Sequence, residues 1–89
     1  MFHVYILKSA DSNDIYIGFT SDLHKRLLAH NQGENTSTKL HQWILVYSES
    51  YLSEEDARRR ERMLKQYGKS LGILKKRISG SLKGSKSAG

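Results

Sequence analysis

Apolar and polar positions alternate over the first twenty residues in the way a pleated strand requires. Residues 2 to 8 and 15 to 20 are rich in β-branched and aromatic types, and Ser9-Ala10-Asp11-Ser12-Asn13-Asp14 between them is a cluster of turn formers. Together they predict a β-hairpin. A period of two places Val4 and Ile6 on one face of the first strand, and Ile15, Ile17 and Phe19 on one face of the second, so these five are candidate core. The same alternation turns Tyr5 and Tyr16 away from that core, and a hairpin closing near Lys8 and Asn13 brings the two rings side by side.

After Phe19 the period changes. Thr20-Ser21-Asp22 offers N-cap side chains, and Leu23, Arg26, Leu27 and His30 follow at the i, i+3, i+4, i+7 spacing of one helix face. Arg26 and His30 therefore lie one turn apart. The helix is expected to end between Asn31 and Gly33, where residues tolerant of left-handed backbone sit, and a polar loop continues to about Gln42. Trp43-Ile44-Leu45-Val46-Tyr47-Ser48 is a nearly continuous apolar run, too short for a typical helix and rich in strand formers, which predicts the central strand of the sheet.

Ser53-Glu54-Glu55-Asp56 fits a variant capping box and opens a helix expected over about 54 to 67, with Gly68 as its stop. Leu71, Leu74 and Ile78 then recur at helical spacing for a last short helix. Residues 79 to 89 are mostly Ser, Gly and Lys with almost nothing to bury, so they read as a disordered basic tail. The order strand, strand, helix, strand, helix, helix predicts an α+β domain over residues 1 to 78, a small three-stranded antiparallel sheet flanked by helices.

Composition narrows the class. Eighty-nine residues support one hydrophobic core and not two. The absence of cysteine rules out disulfides and thiolate metal sites, so packing and hydrogen bonds must hold the fold. No apolar run approaches the roughly 20 residues of a membrane span, and the expectation is a cytoplasmic protein without a membrane partner. Fifteen Lys and Arg against nine Asp and Glu give a net charge of +6, a field that attracts polyanions and puts nucleic acid first among partners.

The strand residues spell something more specific. His3-Val4-Tyr5 followed by Ile15-Tyr16-Ile17-Gly18 resembles the paired tyrosine motifs that name the GIY-YIG nucleases; the second motif is literal and the first has His-Val in place of Gly-Ile. The continuation through Thr20-Ser21-Asp22-Leu23 to Lys25-Arg26-Leu27 and His30-Asn31 resembles the strand-to-helix segment of that family. Trp43 to Tyr47 and the pattern of Ala57, Arg60-Glu61 and Leu64-Lys65 are similar to its small single-domain branch, related to the N-terminal domain of the excinuclease C subunit. The likeness spans about residues 2 to 78.

What the resemblance implies is a DNA endonuclease that hydrolyses phosphodiester bonds in repair or recombination with one divalent metal, Mg²⁺ or Mn²⁺. Tyr5 would be the general base that activates water, Tyr16 would orient water or phosphate, His30 would take the proton from Tyr5, and Arg26 would neutralise the phosphate. Glu61 would hold the metal. The residue types suit these tasks, because a guanidinium grips phosphate oxygens in a planar fork and a hard cation prefers carboxylate oxygen. A tyrosine with its ordinary pKa near 10 needs neighbouring positive charge to act as a base at neutral pH. Gly18 is expected to allow a close backbone approach, and Lys39 in the polar loop is a candidate phosphate contact.

Spacing alone selects less. Glu54 with Arg58, Glu55 with Arg59, Asp56 with Arg60 and Glu61 with Lys65 are all i, i+4 pairs, so the helix also reads as a salt-bridged surface, and only the resemblance singles out Glu61. No Asn follows Asn35, whereas many family members carry one after the Glu helix. Two other functions fit the same residues: a nucleic-acid-binding module without turnover, and a protein-interaction domain that recruits another nuclease. DNA, branched or flapped, is the expected substrate, with a protein partner for targeting; no second DNA-binding domain is evident, so autonomous sequence specificity is not expected.

Overall fold

The computed structural model describes residues 1–32 and 42–87, so Lys39 lies outside the described residues. Three strands, β1 (Phe2–Ser9), β2 (Ile15–Thr20) and β3 (Trp43–Tyr51), form one antiparallel sheet in the order β2-β1-β3. The first two make a hairpin, as expected, but its register is two residues off the expected closure near Lys8 and Asn13, because Lys8 faces Ile15. Its ladder runs from His3 opposite Thr20 to Lys8 opposite Ile15, and the Ser9 N–H donates to the Asp14 carbonyl at 2.9 Å to close it.

The central strand is β1 and not β3, which corrects the reading of residues 43 to 48. The apolar run there has a different cause. Between Ile6 and Leu7 the ladder to β3 is irregular: Ile6 faces Tyr47, Leu7 faces Leu45, and Val46 is the extra residue of a β-bulge. Directly opposed residues share a face, so Trp43 and Leu45 join the face of Leu7, while Tyr47, Glu49 and Tyr51 join that of Ile6, Val4 and Phe2. An edge strand is thus apolar on both faces because both are covered.

One face carries the larger core. Val4, Ile6 and Ile17 pack there with Ala57 and Leu64 of α2 (Glu54–Gln66), Leu74 of α3 (Gly68–Arg77) and Ile78; Phe2, Ile15 and Phe19 pack against it. The opposite face is covered by α1 (Leu23–Asn31), whose Leu23 and Leu27 meet Tyr5, Leu7, Trp43 and Leu45. Tyr5 does point away from the main core, as its alternation requires, but into this second cluster, where it is 1% exposed.

Caps fix where the helices start. The Asp22 side chain accepts from the Lys25 N–H at 3.0 Å to open α1, and Ser53 Oγ accepts from the Asp56 N–H at 3.2 Å to open α2. At the far end of α1, Asn31 Nδ2 donates to the Trp43 carbonyl at 3.1 Å and its Oδ1 accepts from the Trp43 N–H at 2.7 Å. This pair ties the helix to the start of β3.

Two boundaries differ from the sequence reading. The break after α2 falls at Tyr67, whose backbone is extended (φ −115°, ψ 100°), and Gly68 opens α3 instead of stopping α2. Beyond Ile78 the chain forms α4 (Ser79–Ser87) where a disordered tail was expected. Leu82 accounts for it: Leu71, Leu74, Ile78 and Leu82 continue one helical stripe, and Leu82 packs, half-buried, against the main core. A Ser/Gly/Lys composition hid that single anchor.

Candidate active site

Strand alternation and helix phase converge on one open cleft of ≈ 380 Å³. Tyr5 and Tyr16 come from the hairpin, Thr20 and Ser21 from the turn into α1, Arg26 from α1, and Arg58 and Glu61 from α2; Phe19 completes the lining. The tyrosines sit diagonally across the ladder, since Tyr5 faces Gly18 and Leu7 faces Tyr16, and their ring centroids are 6.3 Å apart.

His30 lies behind them. It is fully buried, its ring meets Tyr16 edge-on at 4.6 Å, and its Nε2 is 2.9 Å from the Tyr5 hydroxyl. Burial, and then the nearby Arg26, hold the imidazole below its ordinary pKa. In the tautomer with Nε2 unprotonated, the neutral ring accepts a hydrogen bond from the Tyr5 hydroxyl. Burial also pushes Tyr5 well above the ordinary tyrosine value; Tyr16 and Glu61 push the same way, and Arg26 opposes them. Tyr5 is therefore a phenol at neutral pH in the free protein, with its hydroxyl in hydrogen-bond contact with a neutral imidazole.

Gly18 supplies the room. A Cβ at this position would fall on the Tyr5 Oη and Cζ atoms and 2.9 Å from Tyr16 Cε1. The close approach is thus of a side chain, that of Tyr5, against the β2 backbone.

Glu61 reaches the cleft because α2 packs inward through Ala57 and Leu64, and residue 61 is four after one and three before the other. Its side chain is 18% exposed, and Oε2 accepts from Lys65 Nζ at 2.9 Å. Among the described residues no three His, Cys, Asp or Glu side chains cluster to cage a metal. A lone carboxylate in a polar cleft still fits a hard divalent cation, which keeps most of its waters and takes phosphate oxygens as further ligands.

Of the sequence candidates, Tyr5, Tyr16, Arg26, His30, Glu61 and Gly18 are brought together here. Arg58, Phe19, Thr20 and Ser21 were not anticipated in the cleft; the spacing of Arg58 three residues before Glu61 was the available signal for the first. The surface pairs of α2 are as expected except one. Arg60 Nε binds Glu49 Oε1 at 2.6 Å instead of Asp56, and Asp56 pairs with Arg59 at 3.2 Å. Glu49 also accepts from the Tyr47 and Tyr51 hydroxyls, so it joins β3 to α2.

The three-stranded antiparallel sheet and its flanking helices make a small α+β domain with a polar cleft beside its tyrosines. The chain matches the GIY-YIG catalytic domain over residues 1–77 and belongs to that family. It is 36% identical over 78 residues to a UPF0213 protein of Staphylococcus aureus, covering 83% of this chain and 94% of that one. A UPF0213 protein of Staphylococcus haemolyticus is 36% identical over 69 residues, covering 75% of this chain and 83% of the relative. No solved structure matches. Membership implies a nuclease acting on DNA with a divalent metal. Among the described residues no helix is long and apolar enough to cross a membrane.

Proposed function

We propose that this domain is a metal-dependent DNA endonuclease, structure-selective or weakly sequence-specific, that works in the cytoplasm on branched or flap DNA during repair or recombination. The observation that carries this reading is the buried Tyr5–His30 hydrogen bond of 2.9 Å in a cleft that also holds Arg26 and Glu61.

In this mechanism Arg26 binds the scissile phosphate through its guanidinium fork. His30 Nε2 takes the phenolic proton as the Tyr5 oxygen takes one from the attacking water, and the water oxygen forms its bond to phosphorus. The bond from phosphorus to the 3′ oxygen breaks, and that oxygen leaves with a proton from solvent. Tyr16 orients the water or the phosphate. Glu61 would hold Mg²⁺ or Mn²⁺, which when bound supplies Lewis-acid stabilisation of the charge on the phosphate. Each assignment is supported by placement: the residues that must touch substrate line the cleft, and His30, which need touch only Tyr5, is buried behind it.

The test is cleavage of branched, flap, single-stranded and duplex DNA with Mg²⁺ or Mn²⁺, for wild type, Glu61→Gln and Tyr5→Phe. Both variants are expected to fold and bind DNA while losing cleavage, with Tyr5→Phe deficient in turnover and not in affinity. Near-normal cleavage by either folded variant overturns its assigned role. A binding module without turnover is the second reading, favoured by the strong hold of burial on the phenol form of Tyr5. Inactivity of the wild type on every substrate and metal would favour it.

A further inference from the structure

The cleft contains a second arginine that the mechanism does not use. Arg58 stands on the wall built by α2, three residues before Glu61, whereas Arg26 stands on α1 at the opposite face of the sheet. Its guanidinium carbon lies 4.2 Å from the centroid of the Phe19 ring, and Phe19 is itself stacked on Phe2 with centroids 6.1 Å apart. Its Nε donates to Glu54 Oε2 at 2.7 Å. Ring and carboxylate together fix the plane of the guanidinium, which reduces the side-chain entropy lost when a ligand binds.

The neighbouring Arg59 shows what is distinctive. Both of its terminal nitrogens are engaged, Nη1 with Asp56 at 3.2 Å and Nη2 with Glu55 at 3.1 Å. Arg58 is held only through Nε, so among the described residues its terminal N–H groups have no protein partner. Those groups are the fork that binds phosphate oxygens. The Glu54 pair is half-exposed, with side chains 52% and 50% accessible, and an ion pair of that kind is too weak and too screened to cancel the cation.

We propose that Arg58 is a substrate-binding residue that holds a second backbone phosphate of the nucleic-acid strand whose scissile phosphate lies at Arg26. This rests on the nuclease reading for the position of the scissile phosphate, but not for the binding itself. Two arginines on walls supplied by different helices would fix the direction of the strand across the cleft as well as its affinity. Serving as a phosphate contact, Arg58 carries no base recognition and acts alike on all sequences.

Binding of a fluorescently labelled DNA flap in EDTA, titrated with salt, tests the proposal separately from catalysis. Neutralising a phosphate releases counterions, so Arg58→Ala is expected to make the plot of log affinity against log salt shallower by about one. The loss of a charge-assisted contact should weaken binding about tenfold at moderate salt. Arg58→Lys should keep the slope and lose part of the affinity, because it retains the charge without the fork. Arg59→Ala removes the same net charge outside the cleft and should leave both nearly unchanged. Circular dichroism on each preparation controls for folding. An Arg58→Ala slope equal to that of wild type, or to that of Arg59→Ala, overturns the proposal, as does a wild type without measurable affinity for the flap. If binding depends on Arg58 but no metal supports cleavage by the wild type, the nuclease reading falls and the phosphate contact stands.

Discussion

Gly18 and Tyr5 occupy what would otherwise be one volume: the phenol lies across the β2 backbone where the side chain of any other residue at position 18 would begin. The glycine is required by a neighbour's ring, and not by an unusual backbone angle. Gly18→Ala must therefore displace the Tyr5 hydroxyl from His30, at an overpacking cost of about 1–3 kcal/mol. Cleavage should fall as it does for Tyr5→Phe, together with a lower melting temperature. Gly72→Ala, where a Cβ meets nothing within 4 Å in the middle of α3, is the control and should stabilise by about 0.5–1 kcal/mol. Equal effects of the two substitutions on cleavage would refute this account of Gly18.

Lys65 occupies the carboxylate that a metal would need. Its Nζ sits 2.9 Å from Glu61 Oε2, with the lysine side chain 48% exposed, so the pair is of the modest i, i+4 kind. Removing the lysine frees Glu61 Oε2 from its ion-pair partner. Lys65→Met is expected to tighten Mn²⁺ binding on the order of twofold to fivefold, measured by isothermal titration without DNA. Weaker Mn²⁺ binding by the folded variant would mean that Lys65 orients Glu61 and does not compete for it.

Much of this geometry is legible in the sequence because two periodicities carry it. Alternation alone separates Val4, Ile6 and Ile17 from Tyr5 and Tyr16, and the 3.6-residue period puts Arg26 and His30 one turn apart. In the sequence only the family resemblance singles out Glu61, yet it also shares a helix face with Ala57 and Leu64, the two buried residues of α2. Charge pairing obscured this, since every acidic residue of α2 has a cation three or four residues away. The bulge at Val46 and the edge position of β3 depend on cross-strand register, which one strand's own sequence does not encode. Arg60 likewise leaves its local partner for Glu49, eleven residues away, a choice that only tertiary packing makes available.

The Asn31–Trp43 bridge should be a stability element and not a catalytic one. Asn31→Ala deletes two hydrogen bonds to the Trp43 backbone at the point where α1 meets β3. Losing them should cost about 1–3 kcal/mol, and for a domain of this size each kcal/mol lowers the melting temperature by roughly 4–8 °C. Cleavage below the melting transition should be little changed. A loss of turnover without a fall in melting temperature would show that this bridge sets the position of the His30 end of α1.

Acid stability should depend on Glu49 more than on the exposed carboxylates of α2. Burial by itself would raise the Glu49 pKa, but hydrogen bonds from Tyr47, Tyr51 and Arg60 and the charge of Arg60 outweigh it, so the folded value lies below the usual carboxylate range. The unfolded chain has no such partners and ionises near about 4.3. A depressed folded value means that the stabilisation is complete above the unfolded pKa and disappears as pH falls through the folded one. The tyrosines mirror it: burial and the Glu49 carboxylate push Tyr51 up to about 12, so its contribution is complete below the ordinary tyrosine value and lost as pH rises toward that figure. Burial, and then the Glu49 carboxylate, raise the Tyr47 pKa in the same way, against the opposing charges of Arg60 and Arg77. Melting temperatures of wild type and Glu49→Gln between pH 7 and pH 3 provide the measurement. The wild type should be the more stable at pH 7, by about 1–3 kcal/mol for the loss of charge-assisted hydrogen bonds, and the two curves should converge as pH drops below about 4. Parallel curves over the whole range would show that Glu49 is equally well solvated in the folded and unfolded chain, and that the Arg60 and tyrosine contacts contribute nothing to holding α2 on β3.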